Sequence, residues 1–133
     1  MAEKLRRLSA DYIRTKQEWL QDCRNDGTIS DSQGGCHLWN GATSDRSERY
    51  GKVMLCEGGV RFSIGVHVLC FFLATSIAPS KGDDVSHLCH NTLCVNPAHL
   101  TLEPHKMNME RRRCKREQVC CGHEPRPSCF FLW

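Results

Sequence analysis

The sequence predicts a small α+β domain with a small antiparallel sheet, and three observations support that fold class. Apolar residues recur at helical spacing near the N-terminus, whereas the middle of the chain alternates apolar and polar residues as the strands of a hairpin do. The length of 133 residues allows one modest core. Ten cysteines and seven histidines, gathered mostly between residues 86 and 129, predict that bound metal supplements that core.

The first 35 residues are predicted to form a helix and a loop that precede the main domain. Residues 1–23 place apolar side chains at the spacing of an amphipathic helix, with lysine and arginine on the other face. We expect this stripe to pack on the domain. Asn25–Gly35 is rich in turn-forming residues and predicts a loop. The apolar positions of the helix are Leu5, Leu8, Tyr12, Ile13, Trp19 and Leu20.

A hairpin and a buried helix are predicted in the middle of the chain. Tyr50–Leu55 and Val60–Val66 have the composition of two strands, and Glu57-Gly58-Gly59 marks the turn between them. The apolar run Val66–Thr75 predicts a buried helix.

Basic residues around this hairpin are candidate contacts to nucleic acid. Alternation along the second strand puts Arg61 on the face opposite the core. A two-stranded ribbon with basic residues on its open face fits the major groove of DNA. The candidate DNA-binding residues of this region are Arg46, Arg49 and Lys52.

The cysteines are predicted to bind metal rather than to form disulfides. The N-terminus lacks the apolar stretch of a secretory signal, so we expect a nuclear or cytoplasmic protein, where disulfides rarely persist. Histidines are interleaved with the cysteines, and thiolates and imidazoles at loop-sized spacings are the ligands of tetrahedral zinc. The longest apolar run, Ile64–Pro79, is too short to span a bilayer, so no membrane association is expected.

The first predicted zinc site needs a ligand from a distant part of the chain. Three ligands lie close together in the sequence, and a closed structural site requires a fourth. His87 and His90 are near, but residues so close to Cys89 would strain the geometry. We therefore expect Cys36 to close the site. The predicted ligands are Cys36, Cys89, Cys94 and His99.

A second zinc site is predicted close to the end of the chain. Cys120 and Cys121 compete for one of its positions, and only one of them should bind because adjacent side chains point apart. We favour Cys121 and keep Cys120 as the alternative. The predicted ligands are Cys114, Cys121, His123 and Cys129.

The segment between the two clusters is basic. Residues 104–117 hold six lysines and arginines against two glutamates. Such a run usually forms a solvated helix face, but beside a zinc cluster it becomes a candidate phosphate-binding surface. The candidate DNA-binding residues here are Lys106, Arg111, Arg112 and Arg113.

These motifs resemble a known nuclease family. The stretch Ser86–Leu100, SHLCHNTLCVNPAHL, followed by Asn108 and the Cys/His tail, is similar to the His-Cys box homing endonucleases. That family belongs to the His-Me finger (ββα-metal) nucleases. Cys36-x-Leu-Trp-x-Gly and Tyr50-Gly51 also resemble phage-type HNH endonucleases. The resemblance spans about residues 36–129, and it implies that residues 36–133 form a zinc-stabilised His-Me finger endonuclease domain.

The resemblance implies a mechanism and three catalytic residues. His87 would be the general base that takes a proton from the attacking water. Asn108 would ligate one catalytic Mg²⁺ together with the scissile phosphate. Arg61 would lie near that phosphate. The two zinc ions would be structural only.

The expected function is therefore Mg²⁺-dependent hydrolysis of DNA, with no small-molecule cofactor. The alternative is a catalytically inactive zinc-dependent module that binds DNA or a protein. The resembling enzymes dimerise by exchanging a long C-terminal tail, whereas this sequence ends at Trp133. Its apolar end, Phe130–Trp133, either mediates a homodimer or folds back on its own domain.

Overall fold

The computed structural model describes residues 2–45, 49–124 and 126–130, and within them helices and short strands are mixed. The α+β prediction is confirmed. The strands pair two by two, as three antiparallel ribbons: β1 with β2, β3 with β4, and β5 with β6. The helices are α1 Ala2–Arg6, α2 Ala10–Asp26, α3 Val66–Thr75 and α4 His105–Glu117, and the strands are β1 Ile29–Asp31, β2 His37–Trp39, β3 Lys52–Glu57, β4 Val60–Gly65, β5 Asp83–His87 and β6 Leu100–Pro104.

The predicted N-terminal helix is divided in two at Ser9. The Ser9 side chain caps α2, because its Oγ accepts a hydrogen bond from the backbone N–H of Tyr12 at 3.1 Å. The Ser9 backbone N–H in turn donates to the carboxylate of Glu57 at 2.8 Å, at the end of β3. A side-chain cap and a distant carboxylate therefore fix a break that the apolar spacing did not indicate. The predicted loop that follows also contains a strand, β1.

The main apolar core lies between the hairpin and the helices. β3 and β4 pair with Leu55 opposite Phe62, and both side chains are buried. The helix α3 has the predicted bounds and contributes Leu69 and Phe72 to the same core, while α1 contributes the fully buried Leu5. The faces of β4 also follow the prediction, since Arg61 on the same strand is exposed.

A second core cluster surrounds Trp39, and two glycines make room for its ring. A Cβ atom at Gly41 or Gly51 would come within 2.5 Å of the ring atoms. The indole N–H of Trp39 donates to the carbonyl of Ala42 at 2.8 Å. This packing fixes the backbone next to Tyr50. It also gives a physical reason for the spacing of the Trp-x-Gly and Tyr-Gly motifs.

The ββα unit of β5, β6 and α4 is held together by a buried ion pair. Two hydrogen bonds join Arg111 on α4 to Glu103 on β6, Nε to Oε2 at 2.6 Å and Nη2 to Oε1 at 2.9 Å. The two side chains are 1% and 0% exposed. Such bidentate geometry is the arrangement in which a buried pair repays the cost of removing its charges from water.

The burial of Arg111 corrects one predicted DNA contact. Arg111 was expected on a basic helix face, but it lies on the inner face of α4 together with Cys114. The three-residue spacing of these positions places them on one side of the helix. Arg111 therefore has a structural role and cannot reach a phosphate backbone.

The C-terminal segment folds back on its own domain as far as Phe130. The backbone N–H of Phe130 donates to the carbonyl of Leu88 at 2.6 Å, and its ring meets His99 edge-on with centroids 5.4 Å apart. Residues 131–133 lie outside the described residues. Across the described ranges, no helix has the length and apolar composition needed to cross a bilayer.

Removing the charge of Glu103 should strongly destabilise the fold. Glu103→Gln removes the carboxylate that pairs with the buried guanidinium of Arg111, and breaking such a buried pair typically costs about 3–5 kcal/mol of unfolding free energy. Urea unfolding at saturating zinc measures the loss. The matched control is Glu117→Gln, which removes an exposed partner of Arg113 at 3.7 Å and should cost less than about 1 kcal/mol. Equal losses in both variants would contradict this role for Glu103.

Candidate metal centres and active-site pocket

The first Cys/His cluster joins three separate segments of the chain. One ligand precedes β2, two lie in the loop after β5, and one ends the turn before β6. Their ligand atoms all lie within 4.8 Å of one another, and all four residues are buried. The structure thus brings together the four residues predicted for the first zinc site. These are Cys36, Cys89, Cys94 and His99.

The geometry of this cluster fits a tetrahedral zinc ion. Nδ1 of His99 lies 3.5 Å from Sγ of Cys36 and 3.6 Å from Sγ of Cys94. Zinc–sulfur bonds of about 2.3 Å and zinc–nitrogen bonds of about 2.0–2.1 Å give an S···N edge of about 3.6 Å in a tetrahedron. Three thiols and one imidazole are the donors of a closed structural site. The cluster is therefore consistent with zinc.

Backbone hydrogen bonds bring the loop after β5 to Cys36. The N–H of Val95 donates to the carbonyl of His37 at 2.7 Å, and the N–H of Trp39 donates to Leu93 at 2.9 Å. The side chain of Asn96 accepts from the N–H of Ala98 at 3.0 Å, which caps the short turn that carries His99. The Asn-Pro sequence thus forms the turn that was expected before His99.

The second cluster contains Cys120, not the predicted Cys121. Nε2 of His123 lies 3.5 Å from Sγ of Cys114 and 3.5 Å from Sγ of Cys129, again the edge length of a zinc tetrahedron. Burial raises the pKa of the Cys129 thiol to about 12, so this thiol loses its proton at neutral pH only when a bound cation stabilises the thiolate. The four clustered residues are Cys114, Cys120, His123 and Cys129.

The chain reversal after α4 decides between the two neighbouring cysteines. Gln118 adopts a left-handed conformation with φ 57° and ends α4, so the chain turns back toward the helix. Cys120 then points inward, where its Sγ accepts from the backbone N–H of Cys129 at 3.3 Å. Cys121 is exposed, and its Sγ stays at the edge, 3.8 Å from Sγ of Cys114. The spacing of residues alone does not reveal this rotation.

An open pocket of about 800 Å³ lies beside the ββα unit. It brings together two of the three residues predicted to act in catalysis, His87 from the end of β5 and Asn108 from the second turn of α4. Other polar residues, which the sequence did not single out for catalysis, also line it. Tyr50, His67, Asp84 and His105 are among them.

His87 is buried at one side of this pocket with a defined tautomer. Its Nε2 lies 3.1 Å from the carbonyl oxygen of Cys94, which can only accept, so Nε2 carries the hydrogen and Nδ1 keeps its lone pair. Burial, and then the neighbouring His67, hold the pKa of His87 well below 6.5. The two rings lie 4.6 Å apart. His87 is therefore a neutral imidazole at neutral pH.

Asn108 is fixed by hydrogen bonds at both ends of its amide. Its Nδ2 donates to Oδ2 of Asp84 at 2.9 Å, and its Oδ1 accepts from Oγ of Ser86 at 3.0 Å. Nδ1 of His105 also lies 2.6 Å from Oδ2 of Asp84. The two-residue period of a strand is the sequence signal that could have grouped Asp84 with Ser86, because it places both side chains on one face of β5.

The predicted basic contacts are distributed over two surfaces. Arg61 is exposed on β4 and does not line the pocket, whereas Arg6 and Arg112 do. Arg46 lies outside the described residues. The remaining predicted DNA contacts, apart from the buried Arg111, are exposed: Arg49, Lys52, Lys106, Arg112 and Arg113.

Comparison with known proteins identifies the family. Residues 42–131 match the family described as the zinc-binding loop region of homing endonuclease. The chain belongs to this family. The matched region holds three of the four residues of the first cluster and the whole second cluster. Cys36 lies outside the matched region, and the structure shows that it completes the first cluster of this homing endonuclease family member.

A phage protein is also similar. Protein 2.8 of Escherichia phage T7 is 36% identical over 80 residues, which are 60% of this chain and 50% of Protein 2.8. The chain thus spans about half of the length of that relative. No solved structure matches the chain significantly.

Replacement of Cys120 should remove one zinc ion per chain. Cys120→Ser deletes a thiolate from the second cluster, so the zinc content should fall from two ions to one. Cys121→Ser is the matched control, because Cys121 is exposed and lies outside that cluster. Elemental analysis of the purified proteins after dialysis measures the content. Full zinc in Cys120→Ser together with loss in Cys121→Ser would reverse the assignment.

Protonation of His67 should destabilise the fold in acid. Burial lowers the pKa of His67 from 6.5 to about 4, so the unfolded chain binds this proton more readily than the folded one. The stability gained from neutral His67 is complete above pH 6.5 and is lost as the pH falls toward 4. Between pH 7 and pH 5 the loss should be about 2 kcal/mol.

His67→Phe tests this, because phenylalanine keeps an aromatic ring but has no proton to bind. Urea unfolding of both proteins at saturating zinc should show a smaller loss of stability in the variant between the two pH values. Equal losses in the two proteins would mean that the acid sensitivity comes from other groups.

Proposed function

We propose that this protein is a Mg²⁺-dependent endonuclease that hydrolyses phosphodiester bonds of DNA. One observation carries the proposal: a neutral histidine whose Nδ1 keeps its lone pair, His87, and an amide, Asn108, line the same pocket beside a ββα unit. Membership of a homing endonuclease family agrees with this chemistry. The two Cys/His clusters are structural in this proposal and take no part in the reaction.

His87 is the proposed general base. A base for water must be unprotonated at the working pH and must present a lone pair to the pocket. Burial meets the first condition by lowering the pKa of His87, and the bond from Nε2 to Cys94 meets the second by leaving Nδ1 as the acceptor. The proton of the attacking water would pass to Nδ1 of His87.

Asn108 is the proposed ligand of the catalytic cation. Mg²⁺ prefers oxygen ligands and keeps several of its waters, so one amide oxygen with phosphate oxygens forms a sufficient site. Bound there, Mg²⁺ would supply charge stabilisation to the pentacovalent phosphorane and the leaving oxygen. Asn108 fits this role because its Oδ1 is oriented by Ser86 at the pocket wall.

The exposed basic residues are the proposed contacts to the DNA backbone. Lys106, Arg112 and Arg113 are exposed on α4, the helix that also carries Asn108. Arg49 and Lys52 are exposed near the hairpin. Such side chains would bind phosphates independently of sequence, so the affinity should fall as the salt concentration rises.

A second candidate function is zinc-dependent DNA binding without cleavage. It is favoured by one observation, namely that both amide atoms of Asn108 are already hydrogen-bonded within the protein, to Ser86 and Asp84. A binding module would use the same basic surface and would have no need of His87.

Cleavage of supercoiled plasmid should depend on Mg²⁺, His87 and Asn108. His87→Ala removes the base, which typically contributes about 10²–10⁴-fold, and Asn108→Ala removes the protein ligand of the cation. Both variants should lose nicking by at least about a hundredfold while keeping DNA binding. The measurement is the initial nicking rate with Mg²⁺ and with EDTA.

The matched controls are His37→Ala and Asn25→Ala, which remove the same side-chain types outside the pocket. Both should nick at the wild-type rate. If the folded, zinc-loaded wild type nicks neither plasmid nor a varied DNA library, the protein is a binding module and this proposal is wrong.

A further inference from the structure

The amide of Asn108 has two orientations of nearly equal shape, and only one of them offers oxygen to a cation. We propose that Asp84 selects the productive orientation and supplies the negative charge that draws a divalent cation to Asn108. Asp84 is thus a positioning residue for the cation site. The inference rests on the proposed function above, since it concerns the same pocket.

The contacts of Asn108 identify the group that makes the selection. Oγ of Ser86 lies 3.0 Å from one end of the amide and Oδ2 of Asp84 lies 2.9 Å from the other. A serine hydroxyl can donate or accept, so it would tolerate either end of the amide. A carboxylate can only accept. Turning the amide over would bring two oxygens together at Asp84, which therefore excludes that orientation.

His105 holds Asp84 in place for this task. Its Nδ1 lies 2.6 Å from Oδ2 of Asp84, the same oxygen that Asn108 contacts. His105 and Asn108 are three residues apart on α4, so both project from one side of the helix. One carboxylate oxygen on β5 thus contacts the first two turns of α4.

Asp84 and Glu103 are paired across the β5–β6 ribbon but have different roles. Asp84 lies directly opposite Glu103 in the β5–β6 ribbon, so the two side chains share the face that α4 covers. Glu103 is fully buried and neutralised by Arg111, whereas the side chain of Asp84 is 31% exposed at the pocket. The carboxylate of Glu103 therefore holds α4 against β6, whereas the carboxylate of Asp84 is available to a cation in the pocket.

The charge of Asp84 matters because the amide of Asn108 and the hydroxyl of Ser86 beside it are both neutral. An amide and a hydroxyl alone attract a divalent cation weakly, while hard cations favour sites that include a carboxylate. A unit charge a few ångströms from the cation in a partly solvated pocket changes its affinity by at least about tenfold.

Binding of Mn²⁺, used as the probe for the cation site, tests the inference without reference to activity. Electron paramagnetic resonance measures the free Mn²⁺ over zinc-loaded protein in the absence of DNA. Asp84→Asn should bind Mn²⁺ at least tenfold more weakly than the wild type. The matched control is Asp83→Asn, which loses the same charge from the pocket lining and should change the affinity less than threefold.

Ser86→Ala tests whether Mn²⁺ binding depends on the orientation of the Asn108 amide or simply on the number of hydrogen bonds that the amide makes. Because the carboxylate alone excludes the wrong orientation, this variant should weaken Mn²⁺ binding much less than Asp84→Asn does. The nicking rate of Asp84→Asn should also rise toward that of the wild type when the Mg²⁺ concentration is increased, which a purely structural defect would not allow.

An exchange variant covers the case in which Asp84→Asn does not fold. Asp84→Asn combined with Asn108→Asp keeps one amide, one carboxylate and the hydrogen bond between them, and it should restore Mn²⁺ affinity to within about threefold of the wild type. Unchanged Mn²⁺ affinity in folded Asp84→Asn, or an equal loss in Asp83→Asn, would overturn the inference. In that case a wild type that nicks plasmid still upholds the proposed function, whereas a wild type that binds Mn²⁺ but does not nick would refute the function alone.

Discussion

The pocket depends on the first Cys/His cluster, because Cys94 is one of the clustered ligands and also contacts the pocket residue His87. Its thiol is one of the four clustered ligands, and its carbonyl oxygen lies 3.1 Å from Nε2 of His87. The loop that carries Cys94 therefore fixes the tautomer of His87 only while it is held in place. The four buried ligands hold it, together with the backbone hydrogen bonds that join this loop to β2. The first Cys/His cluster therefore keeps the ring of His87 in place through the backbone of Cys94.

The helix on the other side of the pocket is fixed by similar means. Arg111 joins α4 to β6 through the buried pair with Glu103, and Cys114 joins the same helix to the C-terminal segment through the second cluster. The apolar core is divided into several small clusters, so polar and metal-binding contacts provide much of the connection between elements. Asn108 projects from a helix with two such attachments, so its backbone is held in a fixed position beside Asp84 and Ser86.

Sequence reasoning succeeded where spacing decides the outcome. The alternation around Phe62 predicted the buried face of β4, and the apolar run Val66–Thr75 predicted a helix with the observed bounds. The need for a fourth ligand led to Cys36, 53 positions before Cys89. Sequence reasoning failed where a partner on another element determines the structure. The first helix is interrupted at Ser9, which is hydrogen-bonded to Glu57, and Arg111 lies on the inner face of α4, where it pairs with Glu103. Glu57 lies 48 positions from Ser9, and Glu103 lies eight positions before Arg111 but on a different element, β6.

By itself the sequence determined which chemical groups this protein carries, seven of the eight clustered metal-binding residues and the family to which the chain belongs. Ligand identity and loop length are local properties, so they can be read from spacing. The tertiary structure decided which of two adjacent cysteines turns inward, and it placed Asp84 beside Asn108 across 24 positions of sequence. Side-chain direction after a chain reversal, and contacts between a strand and a helix, depend on the packing of the whole domain and are fixed only when the chain has folded.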